Sequence, residues 1–216
     1  MTPAEELIPV FRGVIHAYTF FAALVAAAVL VLIAPEPDAR VVALIYGAGM
    51  CALFAASGLY HRWRWNPRWR PLLRRIDHST IYVFIAATTT PVAALGLDGT
   101  MRTVLLIVVW AGALTGVALS VAWITAPRLL ASACYLAVGW AGLMAFPGLV
   151  DELPATPLAL LAAGGALYTI GAIIYAIKRP NPWPRIFGFH EVFHVLVVAA
   201  AVTHYVAMAG WVIHVG

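Results

Sequence analysis

Charged residues are scarce in this sequence. Only 10% of its 216 residues are Asp, Glu, Lys or Arg, against roughly 25% in a typical soluble domain. A water-soluble globule would therefore lack the charged side chains that normally cover its surface. The same scarcity excludes a disordered tail or an acidic module, because such segments combine high charge with low hydrophobicity.

Cysteine and lysine are scarcer still. The two cysteines, Cys51 and Cys134, lie inside apolar runs and form no CxxC motif. This excludes a disulfide-stapled secreted miniprotein and predicts two small, buried apolar side chains. Lys178 is the single lysine, and the other 12 of the 13 basic residues are arginine. We interpret this bias as that of a GC-rich bacterial genome.

Apolar residues, in contrast, account for 63% of the chain, and the mean hydropathy is +0.93. They form runs of about the 20 residues that an α-helix needs to cross ~30 Å of hydrocarbon, whereas transmembrane strands read as short alternating segments. The sequence thus predicts an all-α polytopic membrane protein, a seven-transmembrane helix bundle that forms one domain over residues 1–216. The predicted spans are 13–33, 41–61, 76–97, 102–123, 129–149, 158–177 and 189–213.

The basic residues indicate the orientation of this bundle. Eleven of them flank the spans on the side of the N-terminus and two on the opposite side, and Lys and Arg accumulate in cytoplasmic loops. We therefore expect the N-terminus inside the cell, the C-terminus outside and a multi-pass location in the bacterial inner (plasma) membrane.

The net charge of +4 does not indicate a nucleic-acid partner, because the basic residues are not spread over a soluble surface. Six of the arginines lie in one loop, 62–75, together with three tryptophans. Arginine and tryptophan at a membrane interface are typical of contact with lipid headgroups, so we expect this loop to bind anionic headgroups.

Four ionisable side chains are predicted to lie in one layer near the cytoplasmic ends of the spans. Such groups cost a few kcal/mol inside a membrane and indicate functional sites. His61 ends the second span, Asp77 begins the third, and His190 and His194 lie in the first turns of the seventh. The i and i+4 spacing puts the last two on one helix face, where both imidazoles can bind one ion.

His61 can supply a third imidazole, and three imidazoles suit a zinc ion that keeps a fourth position open for water. Asp77 is then placed to hold or deprotonate that water, which zinc makes more acidic. Ser57 lies one turn before His61 and can donate to a bound carbonyl or fix a ligand. Simpler interpretations remain open: an interfacial histidine, a pair of packing histidines, an ion pair of Asp77 with a neighbouring arginine, and a packing serine. The shared depth favours the metal site.

Three further polar residues are each open to two interpretations. His16, in the first turns of the first span, either supports the site or is interfacial. His204 lies ~21 Å further along its helix than His190 and cannot reach the same ion, so it is either a packed histidine or a second polar point in a central cavity. Glu191 completes an HExxH sequence, the motif of zinc peptidases, and is either a base or a partner of Arg185.

Three motifs stand out along the chain. They are Ser57-x3-His61, the run Arg75-Ile76-Asp77-His78-Ser79-Thr80-Ile81-Tyr82 that leads to Ala87-Thr88-Thr89-Thr90-Pro91, and His190-Glu191-Val192-Phe193-His194. At these separations they resemble the motifs of the hemolysin III family. That family is related to the progestin and adipoQ receptors and, more distantly, to alkaline ceramidases. The resemblance implies seven helices with an inside amino end. It also implies a zinc ion held by His61, His190 and His194, with Asp77 on the bound water and Ser57 nearby.

We interpret the chain as a zinc-dependent integral membrane hydrolase of a lipid amide or ester, as the resemblance to ceramidases implies. Asp77 and Ser57 are the expected catalytic residues, and the expected partner is a membrane lipid, as substrate or as fatty-acid product. The alternative is a non-enzymatic protein, either a pore-forming cytolysin or a lipid-sensing, receptor-like protein with structural zinc. A transporter is less favoured, because only His204 lies near mid-membrane.

Overall fold

The structure, a computed structural model that describes residues 8–215, is built from helices. Within that range the one other regular feature is an isolated bridge between Trp183 and Phe187. The helices are α1 (Val14–Ile33), α2 (Pro37–Arg62), α3 (Arg70–Gly96), α4 (Gly99–Ala122), α5 (Arg128–Trp140), α6 (Phe146–Glu152), α7 (Ala155–Ile177) and α8 (Phe189–Gly210).

Among residues 8–215, seven helical segments are long and apolar enough to cross a membrane. The fifth is composite, since α5, a 3₁₀ segment at Ala141–Ala145 and α6 follow one another without a loop and together form Arg128–Glu152. The predicted all-α, seven-span architecture is thereby confirmed, and the chain is a multi-pass membrane protein. The placement of the N-terminus inside the cell stays a prediction.

The second and third helices begin well before the corresponding apolar runs. α2 begins at Pro37 and α3 at Arg70, whereas the predicted spans begin at 41 and 76. Each helix has a proline in its first two positions, where the fixed φ and the missing N–H are tolerated. Hydropathy locates only the part of a helix that lies in hydrocarbon. As a result, the second half of the arginine-rich segment 62–75 belongs to α3 instead of to a loop.

Small residues bring α1 and α2 into close contact. A Cβ atom at Gly47 would lie 2.7 Å from the Cβ of Ala27, and one at Gly58 would lie 2.9 Å from the Cα of Ala17. Small residues at helix crossings are typical of membrane bundles, where close packing replaces the hydrophobic effect between helices. α2 also packs on α3, α7 packs on α8, and α1 contacts α8. The end of α2 and the starts of α1, α3 and α8 consequently lie at one end of the bundle.

The outer surface of the bundle carries large apolar side chains. Tyr18, Leu32 and Leu129 are each more than two-thirds exposed, at 74%, 80% and 71%. In water such a surface would be an aggregation site. In a bilayer it is solvated by acyl chains, which is consistent with the seven spans.

Candidate metal centre

Three histidines form a cluster at this end of the bundle. His61 stands on the last turn of α2, and His190 and His194 stand on the first two turns of α8. One ring nitrogen from each lies within 4.8 Å of the other two, and the Nε2 atoms of His61 and His190 are 3.2 Å apart. His190 and His194 are buried, with 8% and 2% of their surface exposed.

The spacing of these nitrogens fits a single metal ion. Bonds of ~2.0–2.1 Å in a tetrahedral site place two ligand nitrogens about 3.4 Å apart, close to the 3.2 Å between His61 and His190. Neutral imidazoles are donors that divalent transition metals favour. The cluster can therefore hold a metal ion, and its role as ligand set stays a prediction of the sequence.

Asp77 lies directly beside the cluster. Its Oδ2 atom is 3.4 Å from Nε2 of His61, the nitrogen that also approaches His190, and the residue is 5% exposed. The alternative ion pair with a neighbouring arginine is absent from residues 8–215, where Asp77 is paired only with His61. Arg75 instead donates from Nε to the carbonyl of Val121 at 2.9 Å.

Ser57 reaches the cluster through His16. Its hydroxyl is hydrogen bonded to Nδ1 of His16 at 2.8 Å, and the His16 ring is stacked on His194 with centroids 3.8 Å apart and planes 5° from parallel. Both residues are buried. His16 is thus a support of the cluster, the first of its two interpretations, and Ser57 holds that support in place.

Glu191 forms an ion pair with Arg12 and not with Arg185, the partner considered from the sequence. Its Oε1 accepts from Nε of Arg12 at 2.6 Å, and its Oε2 accepts from the backbone N–H of Gly188 at 2.8 Å. Glu191 is fully buried, and this ion pair favours a structural role over that of a base. The carbonyl of Arg185 instead accepts a backbone hydrogen bond from Val10.

The segment before α1 covers this end of the cluster. Phe11 donates its backbone N–H to the carbonyl of Ile186 at 3.2 Å, and Arg12 is tied to Glu191. Gly13 follows with a φ of 74°, and a Cβ atom there would lie 2.8 Å from the Cβ of His61. Sequence reasoning missed this cover, since the Arg12-Gly13 pair carries no periodic signal. The adjacent arginine and glycine, Arg12 and Gly13, were the available hint.

A cavity of about 400 Å³ opens from the cluster into the bundle. Its walls are mainly apolar and come from α2, α3, the composite fifth segment, α7 and α8. Asp77 and the cluster lie at one end, and His204 also lines it. Its volume is in the range of small-molecule sites, which are commonly apolar with a few polar groups.

By its fold and its histidine cluster, this chain is a multi-pass helical membrane protein with three histidines at one end of a cavity inside the bundle. Residues 6–205 match the haemolysin-III related family. The chain belongs to that family, which confirms the resemblance carried by the three motifs.

Several curated proteins are similar over most of the chain. The hemolysin-3 homolog of Bacillus subtilis (strain 168) is 34% identical over 157 residues, which cover 73% of this chain and 70% of that protein. Hemolysin-3 of Bacillus cereus is 30% identical over 157 residues, 73% of this chain and 68% of its own. The human monocyte to macrophage differentiation factor is 26% identical over 200 residues, 89% of this chain and 79% of its own.

Proposed function

We propose that this protein is a zinc-dependent membrane hydrolase that cleaves a lipid amide or ester in the bacterial inner membrane. One observation carries the proposal: a carboxylate and three imidazoles lie together in the wall of an apolar cavity inside the bundle. A purely structural metal site needs neither a neighbouring carboxylate nor a cavity large enough for an acyl chain.

His61, His190 and His194 would hold the ion. Zinc is the metal that suits three histidines with one open position, and when bound it supplies a Lewis acid and a water of lowered pKa. Asp77, next to His61, is placed to take a proton from a water molecule at the centre and to return it to the leaving amine or alcohol.

Ser57 would orient the carbonyl of the substrate. Its hydroxyl lines the cavity and is hydrogen bonded to Nδ1 of His16. When His16 donates through Nδ1, the hydroxyl proton of Ser57 stays available for the carbonyl oxygen of the lipid. The stacking of His16 on His194 keeps this arrangement fixed, which is what positioning catalysis requires.

The cavity would hold the acyl chain. Its apolar walls exclude water from the reacting bond, and its position between helices lets a chain enter from the bilayer. The arginines and tryptophans of segment 62–75 would hold this end of the bundle against anionic headgroups. The scissile bond of a lipid, which lies where headgroup and chains meet, would then be at the depth of the cluster.

The test is hydrolysis by the purified full chain in neutral detergent, with ceramide, N-acyl amides and acyl esters as substrates and mass spectrometry of the released fatty acid. We expect release that stops on chelation, returns with zinc and falls by about 10²-fold or more in Asp77→Asn, which removes the general base. Asp98→Asn, an exposed carboxylate, is the matched control. Fatty-acid release that is unchanged in Asp77→Asn would overturn the assignment of Asp77 as the general base. If no substrate releases a fatty acid, the proposed hydrolase activity is overturned.

A lytic protein without enzymatic activity is the second candidate, because two relatives carry the name hemolysin-3. The zinc would then be structural. Leakage of a dye from vesicles distinguishes the two, since a pore keeps its activity in Asp77→Asn, whereas lysis that follows lipid hydrolysis is lost with the carboxylate.

A further inference from the structure

His204 lies in the cavity, far from the histidine cluster. It stands on α8 with 9% of its surface exposed, and its ring packs edge-to-face on Tyr168 with centroids 5.5 Å apart. Gly164 lets the ring approach α7, because a Cβ atom there would overlap the imidazole. Ten residues separate His204 from His194, which corresponds to roughly 15 Å along the helix.

The hydrogen bonding of His204 fixes its tautomer. Nε2 is 3.0 Å from the carbonyl oxygen of Leu161, and a carbonyl only accepts, so Nε2 carries the proton. Nδ1 is then a bare acceptor. It is buried and has no partner among residues 8–215, and the hydroxyl of Tyr168 is in the same situation. A buried polar atom without a partner costs ~1–3 kcal/mol.

These two atoms need a donor and an acceptor respectively. Nδ1 of His204 can only accept, whereas the Tyr168 hydroxyl can donate. Both residues line the apolar cavity, and their rings are in contact. A hydroxyl group on a ligand matches both requirements, because it can donate to the imidazole and accept from the phenol. Both atoms lie just beneath the cavity wall, so the two side chains turn slightly to meet it.

We propose that His204 and Tyr168 form a second binding point, which takes a hydroxyl group on the acyl chain of the bound lipid. This deepens the proposed function and rests on it to the extent that a lipid chain occupies the cavity. With the polar end of the lipid at the histidine cluster, the hydroxyl lies roughly 15 Å away, a distance that a chain of about a dozen carbons covers. The preferred ligand is thus a lipid hydroxylated near the middle of its acyl chain.

Binding of three fatty acids to the purified full chain in detergent tests this site. The probes are stearic acid, 6-hydroxystearic acid and 12-hydroxystearic acid, which differ only in the presence and place of one hydroxyl. Affinities come from isothermal titration calorimetry. We expect 12-hydroxystearic acid to bind about tenfold more tightly than the other two, since two hydrogen bonds of ~0.5–1.5 kcal/mol each are gained.

Two variants assign the effect to its residues. His204→Phe and Tyr168→Phe each remove one of the two hydrogen bonds, so each should lose about half of the preference for 12-hydroxystearic acid, measured as the logarithm of the affinity ratio. Each variant should bind stearic acid as tightly as the unmodified chain does. His214→Phe, an exposed histidine near the C-terminus, should keep all of the preference. If His204→Phe does not fold, Tyr168→Phe decides alone.

The outcomes separate this site from the proposed hydrolase. Equal affinity for the three acids, or a preference that is undiminished in both Phe variants, overturns the hydroxyl site. If none of the three acids binds, the cavity does not bind a lipid chain, and the proposed function is overturned as well. A preference for 12-hydroxystearic acid in a chain that hydrolyses no lipid supports the site and contradicts only the enzyme.

Discussion

At the scale of single residues, His16 and Ser57 make the histidine cluster rigid. The stacked pair of His16 and His194 and the hydrogen bond from His16 to Ser57 join α1, α2 and α8 within one group of side chains. Metal ligands are commonly oriented by such outer contacts, and the loss of one weakens metal binding. We therefore expect metal retention at the cluster to depend on His16 and Ser57, which are not predicted ligands themselves.

Replacement of a cluster histidine tests the ligand set. We expect His190→Ala and His194→Ala each to lose the bound zinc, because two imidazoles remain where three are needed. The measurement is elemental analysis of the purified protein. His214→Ala, at an exposed position, should keep its zinc. A full zinc content in both cluster variants would remove the metal assignment.

The ion pair of Glu191 and Arg12 offers a comparison of buried and exposed charges. Glu191 is fully buried and Arg12 is 23% exposed, whereas Asp98 and Arg102 form a pair of similar length, 2.8 Å, with exposures of 96% and 42%. We expect Glu191→Gln to cost about 2 kcal/mol, because a partly buried guanidinium loses its counter-charge. Asp98→Asn should cost close to nothing.

Thermal unfolding in detergent measures this difference. For a chain of this size 2 kcal/mol corresponds to a fall in Tm of roughly 4–8 °C. Equal Tm values for Glu191→Gln and Asp98→Asn would contradict a stabilising role of the buried pair, and an Arg12→Gln, Glu191→Gln double variant would show whether the two effects are coupled.

At the scale of elements, the turn from the N-terminal segment into α1 determines how closely α1 approaches the end of α2. Gly13 has a φ of 74°, a conformation that costs other residues ~1–2 kcal/mol. A Cβ atom there would also lie 2.7 Å from the backbone nitrogen of Arg62. A side chain at position 13 would therefore strain the backbone and also press against His61, the candidate ligand on α2.

Gly13→Ala should therefore weaken zinc retention as well as stability, and Gly99→Ala separates the two causes. Gly99 also has a positive φ, 55°, but has open space around it. We expect both variants to lower Tm, and only Gly13→Ala to lose zinc faster to a chelator. Zinc loss at the same rate in both would show that the contact with His61 does not matter.

At the scale of the whole molecule, the asymmetry of the basic residues predicts which side of the membrane holds the cluster. Eleven of the 13 basic residues lie on the side of the N-terminus, which favours that side as the cytoplasm. The proposed hydrolase would then act from the inner leaflet.

Reporter fusions measure this orientation. Alkaline phosphatase, which is active only outside the cytoplasm, should be active when fused after Val215, and green fluorescent protein should be dark there. The reverse pattern is expected after Asn181, in the connection between α7 and α8. A fluorescent fusion at Val215 would place the C-terminus inside and overturn the predicted orientation.

The number of spans and the expected depth of the polar residues follow from the sequence alone. Both are local quantities, because the length of an apolar run is set by the thickness of the bilayer and a residue's position in that run gives its depth. His61, Asp77, His190 and His194 were therefore expected in one layer from each helix separately.

The rotation of each helix and the contacts of its side chains became visible only in the folded bundle. The apolar sequence of α1 does not predict that His16 stacks on His194. The HExxH motif likewise does not predict that Glu191 pairs with Arg12. From the sequence, His204 is either a packed histidine or a polar residue in a central cavity. Its hydrogen bond to Leu161 and its Nδ1 without a partner among residues 8–215 are seen only in the structure. The physical reason is that in an almost uniformly apolar helix the hydrophobic pattern carries little rotational information, since lipid and protein neighbours are equally apolar.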